Sequence, residues 1–499
     1  MGGFLSINLF YLCHYIDFQY LCSQFPLSGK RYIMTKEKEK QYVADNSIAV
    51  KNRHEVDMLH GPLLSKILLF AMPFALSGVL EQLFNSVDVM VVGRYASSEA
   101  MAAVGANTFL INLCINLFIG MSVGANVIIS NHIGQHDNRA IRNAVSTTMV
   151  LSAVSGLLLL VIGLVIAPIV LRAMGTPRNV IGDAVTYLRI WFIGAPFFMV
   201  YNFGASVLRS KGDTRRPLYI LIIAGVINAV VALTTVVVGK MGVVGVGIAN
   251  DVAYAFSAAA VVTLLRREQG PFRLDYRHLR IYGVELRRIL QIGIPAGIQG
   301  MVFSLSNVFV QSAINSYGSA AMAGASASQI FDAYCYFLLN AFSGACVTFM
   351  GQNYGAGNVE RCKRIFGICL VCGALFTLAG NMTLFIGEDQ FLTFFTTDPA
   401  VAHYAKIRIA ITMTTQWIAA FYEIPASAMR GLGHSLEPAL MTVFGTCVFR
   451  LVWIFAIHPL WPGFNHLMII YPASWLLTDF IVFTAYIIVS RRAFKFVSE

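Results

Sequence analysis

Four polar side chains recur along the first long apolar segment at a spacing that could hold an ion. Ser77, Glu81, Asn85 and Asp88 are 4, 4 and 3 residues apart within "ALSGVLEQLFNSVDVMVV". In an α-helix these positions share one face. A carboxylate that faces lipid at the bilayer centre costs about 3 kcal/mol or more. We therefore expect the stripe to face the protein interior or a water-filled cavity. A structural carboxylate paired with a buried donor is the alternative for Asp88 and Glu81.

The composition indicates a membrane protein. Of the 499 residues, 57% are hydrophobic and 12% are charged, whereas a soluble domain carries about 25% charged residues. Apolar runs of about 20 residues, each long enough to cross about 30 Å of hydrocarbon, recur along the chain. They are continuous rather than alternating, which argues against a transmembrane barrel. We predict an all-α polytopic protein with about twelve spans, at 66–93, 105–130, 141–169, 184–209, 217–238, 243–265, 289–315, 325–350, 363–387, 404–429, 437–459 and 467–490.

The basic residues lie in alternate loops. "RSKGDTRRP" and residues 266–288 are rich in Lys and Arg, whereas "NSYGSAA" and "IHPLWPGFNH" contain neither. Under the positive-inside rule this parity predicts that both termini lie in the cytoplasm, with the protein in the plasma membrane. The net charge of +11 is then a property of the loops, and we expect no nucleic-acid partner.

The chain repeats itself at an offset near 221 residues. The motif that begins at Pro73 returns at Pro295, and "LRSKGDTRRPL" returns as "MRGLGHSLEPA", with Arg209 on Arg430. Each repeat holds about six spans, so the halves are parallel repeats, as in transporters with a substrate site between two lobes. We predict two pseudo-symmetric six-helix lobes around a central cavity.

The domain boundaries follow from the repeat. Residues 61–268 form the N-lobe, 269–287 a cytoplasmic linker and 288–499 the C-lobe. We expect the linker to be an amphipathic helix on the lipid headgroups. Residues 1–60 are predicted to be a disordered tail, with a natural start at Met34.

Further polar residues fall inside the spans, and several could line a cavity. An intramembrane amide often serves only as a hydrogen bond between helices, but several on both lobes favour a hydrated site. The spans contain few basic residues, and Arg450 is the main exception. We expect it to pair with a helix carbonyl or a carboxylate. The predicted cavity residues are Glu81, Asn85, Asn202, Asn228, Asn250, Asn307 and Glu423.

Several motifs together resemble the multidrug and toxic compound extrusion (MATE) family. They are "LFNSVDVMVVGR", "LRSKGDTRRP", "GVVGVGIAN", "SQIFDAYCY" with "GQNYGAG", and "MRGLGH", spread in order over residues 60–490. The resemblance implies twelve helices in two lobes and export of organic cations driven by inward H⁺ or Na⁺. It implies no enzymatic activity and no cofactor or resident metal beyond a possible Na⁺ at Asp88. We expect a monomer that binds cationic amphipathic small molecules.

The resemblance also suggests roles for individual residues. Asp88 matches the aspartate on which ion coupling depends in the family, and Asn202, Asn228 and Asn250 match polar positions around it. The chain departs from the family pattern at Ala232, where many relatives carry Asp or Asn, and at Phe303, where some sodium-coupled members carry an acid. The choice between H⁺ and Na⁺ therefore stays open.

Three other functions are alternatives to drug export. A lipid-linked precursor flippase of related architecture would need a strongly cationic cavity for phosphate. A membrane-embedded enzyme is disfavoured because "HEVDMLH" lacks the spacing of a zinc-binding HExxH motif, and no nucleophile–base order stands out. A structural or receptor role has no motif in its favour.

Overall fold

A computed structural model describes residues 54–95, 98–173, 180–393 and 398–498. Within them, twelve apolar segments form a helical bundle. Within these ranges the regular structure is helical, without strands, as predicted. The first nine long helices are α1 Leu63–Tyr95, α2 Ser98–Gly134, α3 Asn138–Ala173, α4 Ile181–Ser210, α5 Arg215–Leu233, α6 Gly242–Arg267, α7 Gly283–Asn315, α8 Ser319–Gly355 and α9 Val359–Ile386.

The last three segments are less regular. α10 comprises Pro399–Thr415, a 3₁₀ turn at Gln416–Ala419 and Ala420–Gly431. α11 runs from Leu436–Thr442 through two π-helical turns, Val443–Val448 and Trp453–Ile457, on either side of Phe449–Val452. α12 is Ile470–Ser498, preceded by a short helix at Phe464–Met468. A further short helix, Glu388–Leu392, follows α9.

Eleven helices among the described residues are long and apolar enough to cross a membrane without interruption. The predicted span 404–429 is the twelfth, and it falls in α10. It is not one continuous helix because the 3₁₀ turn divides it. At this turn the side-chain amide of Gln416 donates to the backbone carbonyl of Asp332 in α8, at 3.0 Å.

The two lobes meet along α2 and α7. An added Cβ at Gly120 would lie 2.2 Å from the backbone nitrogen of Gly297, so this crossing requires glycine. Beyond it, His132 Nε2 lies 2.9 Å from Glu285 Oε2. The contact of His132 with Glu285 lies at the end of the bundle that carries the basic loops, which we call the basic end (residues 134–138, 210–215, 267–283, 355–359 and 431–436).

The predicted amphipathic helix of the linker is wrong. After α6 the chain forms two 3₁₀ turns, Gly270–Phe272 and Tyr276–His278, before α7 begins. Gly270 has φ +69°, and Pro271 follows it, which prevents α6 from continuing. The segment is anchored to protein, since the Ser146 hydroxyl of α3 donates to the carbonyl of Arg280 at 2.9 Å.

The end of the predicted tail is also ordered. Residues 1–53, including Met34, lie outside the described residues, but 54–60 pack against both lobes. The backbone nitrogen of Val56 donates to the carbonyl of Gly212 at 3.1 Å, and Asn353 Nδ2 of α8 donates to the carbonyl of Met58 at 3.1 Å. Met58 is 1% exposed because its apolar side chain packs in a cluster formed by the start of α1 and the C-lobe helices.

Candidate functional site: the polar cluster around Asp88

Asp88 is buried at the end of a chain of amides from three helices. Asn228 Nδ2 of α5 donates to Asn250 Oδ1 at 3.1 Å, and Asn250 Nδ2 of α6 donates to Asp88 Oδ2 of α1 at 2.9 Å. All three side chains are less than 9% exposed, and that of Asp88 is 3% exposed. The amides therefore form a chain of hydrogen bonds in which each one donates in the direction of the carboxylate.

Two oxygens of this cluster are left without a donor. Asp88 Oδ1 and Asn228 Oδ1 are buried, and neither accepts a hydrogen bond from the described residues. A buried acceptor without a partner is unfavourable. A proton on Asp88 would supply the missing donor, and a hard cation such as Na⁺ would bind oxygens of this type.

The next acid along α1 faces open space. Glu81 and Asn85 are exposed although they lie in the middle of the bundle, and neither side chain makes a hydrogen bond with the described residues. Ser77, by contrast, is buried and donates to the carbonyl of Pro73 in its own helix at 3.0 Å. The stripe read from the sequence therefore has a solvent-accessible middle and a buried residue at each end.

Asn202 is separate from the Asp88 cluster. Its Nδ2 donates to the carbonyl of Phe198 in its own helix at 3.0 Å, and it makes no hydrogen bond to Asp88, Asn228 or Asn250. The half-buried Glu423, at its repeat-equivalent position, accepts from the Tyr336 hydroxyl of α8 at 3.4 Å.

Asn307 binds Arg450. Arg450 Nη1 donates to Asn307 Oδ1 at 2.9 Å and its Nε to Ser474 Oγ at 3.1 Å. Its guanidinium also lies 5.3 Å from the ring centre of Phe303 and 5.0 Å from that of Tyr471. The prediction that a helix carbonyl or a carboxylate binds this arginine is therefore wrong. An amide, a hydroxyl and two aromatic rings contact it, and it lies between the two π-helical turns of α11.

The expectation that Arg450 is the main basic residue inside the spans is also wrong. Arg408 lies well within α10 and is buried, and the half-buried Arg209 and Arg430 lie in the last turns of α4 and α10. The basic motif "RSKGDTRRP" suggested that Arg209 belongs to a loop, but α4 continues to Ser210. The internal repeat aligns Arg209 with Arg430, and this alignment could have shown that both arginines occupy equivalent helix ends.

Arg408 forms a buried ion pair that the sequence did not reveal. Its Nη2 donates to Asp332 Oδ2 at 2.6 Å and its Nη1 to the carbonyl of Ala325 at 2.7 Å. The hydroxyl of Thr412 donates to Asp332 Oδ1 at 2.9 Å. Asp332 is therefore saturated, unlike Asp88, and holds α8 against α10.

Comparison with known proteins identifies a family. A family model described as MatE matches residues 73–234 and again 295–455, which begin at the prolines aligned by the internal repeat. "Probable multidrug resistance protein YoeA" of Bacillus subtilis is 28% identical over 384 residues, covering 75% of this chain and 83% of that protein. "Probable multidrug resistance protein NorM" of Thermotoga maritima is 24% identical over 398 residues, covering 77% and 84%.

The fold of this chain is similar to that of solved MATE structures. A structure described as "Crystal structure of MATE in the bent conformation" superposes with a TM-score of 0.81 at 19% identity, covering 89% of this chain and 99% of that one. A multidrug resistance MATE family transporter in an outward-facing conformation gives a TM-score of 0.82 at 19% identity, covering 89% and 100%. With the family model matching both lobes, the chain belongs to the MatE family of multidrug efflux transporters, which are membrane transporters and not enzymes.

Proposed function

We propose that the chain is a secondary antiporter that exports amphipathic organic cations in exchange for inward H⁺ or Na⁺. The observation that carries this proposal is the buried Asp88, whose Oδ2 is held by Asn250 while its Oδ1 has no donor. A carboxylate in such surroundings binds a cation or a proton because either one removes an uncompensated charge. Asn228 orients Asn250 for this task.

Coupling follows from the position of the site next to the open part of the cavity. Glu81 lies seven residues before Asp88 on the same face of α1, which is about 10 Å along the helix. An organic cation near Glu81 and Asn85 and an ion at Asp88 are both favoured by the same negative region. Occupancy by one therefore weakens binding of the other, which is the coupling that antiport requires.

The lobes supply the conformational change. With the basic end in the cytoplasm, as the positive-inside rule indicates, the contact of His132 with Glu285 holds the two lobes together on the cytoplasmic side. An inward-open state would require the lobes to separate there, along α2 and α7. We assign the protein to the plasma membrane, with both termini in the cytoplasm, and expect it to act as a monomer.

The flippase alternative receives little support from the interior arginines. Arg408 is bound by Asp332, Arg430 by Gln299 at 2.7 Å, and Arg450 by Asn307. A pyrophosphate in low dielectric requires several charge-assisted donors, and among these four arginines only Arg209 makes no side-chain hydrogen bond within the described part of the chain.

Efflux from proteoliposomes tests the proposal. Purified protein should drive ethidium against its gradient when either a pH gradient or a Na⁺ gradient is imposed alone, and the effective gradient identifies the coupling ion. Only downhill movement of ethidium under both gradients would contradict antiport. Preferential binding of lipid-linked pyrophosphates, without affinity for cationic dyes, would favour the flippase.

A further inference from the structure

Arg209 carries a positive charge that no ion pair neutralises within the described part of the chain. It lies in the last turn of α4, is half-buried, and its guanidinium carbon lies 4.9 Å from the ring centre of Phe74 in α1. Among the described residues it makes no side-chain hydrogen bond and no ion pair within 4.0 Å. A guanidinium has five donors, so those of Arg209 are available to a ligand.

The groups around Arg209 do not neutralise it directly. Glu81 and Tyr201 are the ionisable groups near it, and neither is hydrogen-bonded to it. The Tyr201 hydroxyl donates instead to the carbonyl of Pro217 at 3.3 Å. Glu81 is exposed and makes no hydrogen bond to Arg209, so a cation and an anion without a direct ion pair lie in the same part of the N-lobe.

The helix spacing sets their order along the cavity. Phe74, Glu81 and Asp88 follow one another at intervals of seven residues, so they share a face of α1 and lie about 10 Å apart in succession. Arg209, above Phe74, lies toward the basic end, and Glu81 lies farther in. The C-lobe has the same order on α10, where Glu423 precedes Arg430 by seven residues.

We propose that Arg209 is a specificity-determining residue that binds the carboxylate of zwitterionic amphipathic substrates, whose cationic part lies near Glu81. The inference rests on the proposed export of organic cations and extends it to substrates that also carry an anionic group. Arg209 suits a carboxylate because the planar guanidinium forms two parallel hydrogen bonds with it. Phe74 holds the guanidinium in place by a cation–π contact while leaving the edge donors free.

Arg430 provides the contrast within the same molecule. It is the repeat equivalent of Arg209, but its Nη2 donates to Gln299 Oε1 at 2.7 Å and its Nε is buried without a partner. Its orientation is therefore fixed by protein, and we assign the open anion-binding position to the N-lobe arginine.

Two matched dyes test this assignment. Rhodamine 123 is a methyl ester and cationic, whereas rhodamine 110 is the corresponding free acid with a carboxylate. Their affinities would be measured by fluorescence anisotropy on purified full-length protein, in the wild type and in Arg209→Gln, Arg209→Lys and Arg430→Gln. We expect Arg209→Gln to weaken binding of rhodamine 110 by about 10- to 100-fold, the value of a lost charge-assisted hydrogen bond. Binding of rhodamine 123 should stay unchanged or tighten.

The comparison of the two dyes within each variant separates a specific effect from a folding defect. Arg209→Lys should recover part of the affinity for rhodamine 110, and Arg430→Gln should show no selective loss. Equal changes for both dyes in Arg209→Gln, or no affinity of the wild type for rhodamine 110, would overturn the inference. Because equilibrium binding needs no ion gradient, a selective effect here would stand even if the transport experiment ruled out antiport.

Discussion

Replacing Asp88 by asparagine should abolish coupling while leaving the fold intact. The asparagine has nearly the same shape, and its side-chain oxygen can still accept the hydrogen bond from Asn250 that now measures 2.9 Å. A charge-assisted hydrogen bond becomes a neutral one, a loss of about 1 kcal/mol. The variant should therefore insert in the membrane and denature thermally within a few degrees of the wild type.

The expected effect on transport is much larger. If one ion is exchanged for one singly charged substrate, a tenfold ion gradient contributes about 1.4 kcal/mol and supports at most about a tenfold substrate gradient. The amide of the Asp88→Asn variant cannot become negatively charged at any physiological pH, so the variant should not build up a substrate gradient. The assay follows ethidium in proteoliposomes under a tenfold H⁺ or Na⁺ gradient.

Asp332→Asn is the matched control. This position also carries a carboxylate within a membrane-spanning helix, but it is saturated by Arg408 and Thr412. We expect the control to lose stability and retain coupled efflux by the protein that remains folded. A tenfold ethidium gradient built by the Asp88→Asn variant would show that Asp88 is structural and that the central assignment is wrong.

Three further predictions concern other charged residues. Glu423→Gln should change the range of exported cations without loss of expression, and identical dose–response curves for several compounds would remove Glu423 from the site. Asp332→Leu should cost about 3–5 kcal/mol because Arg408 is left buried without its carboxylate. The double variant with Arg408→Leu should recover most of this loss in detergent melting curves, and no recovery would contradict a pairwise interaction. Burial raises the pKa of Glu268, but Lys211 and Arg216 outweigh it and hold this pKa below its usual range. Ionised Glu268 therefore stabilises the protein fully at neutral pH, and this stabilisation is lost as the pH falls through the lowered pKa. Glu268→Gln should reduce the melting temperature at pH 7 and make the melting temperature depend less on pH in the acid range.

The fold was largely predictable from the sequence. Hydropathy located the apolar segments because a helix that crosses lipid must be apolar over its whole length. The repeat from Pro73 to Pro295 predicted two lobes, and the family model matches both of them. The linker was mispredicted because its basic residues suggested a lipid surface. In the structure its polar groups, such as the carbonyl of Arg280, bind protein instead.

Part of the site was determined by the sequence alone and part by the tertiary structure. Local periodicity by itself placed Glu81, Asn85 and Asp88 on one face of α1, since positions three, four and seven residues apart on a helix share a face whatever surrounds it. Only the tertiary structure decided which amides reach Asp88. Asn250 donates to Asp88 directly and Asn228 is linked to it through Asn250, whereas Asn202 bonds within its own helix. The structure also decided that Arg209 remains unpaired above Phe74. These outcomes depend on how each helix is rotated and how closely its neighbours approach. Contacts among distant segments set both quantities, and the spacing of residues within one segment contains no information about them.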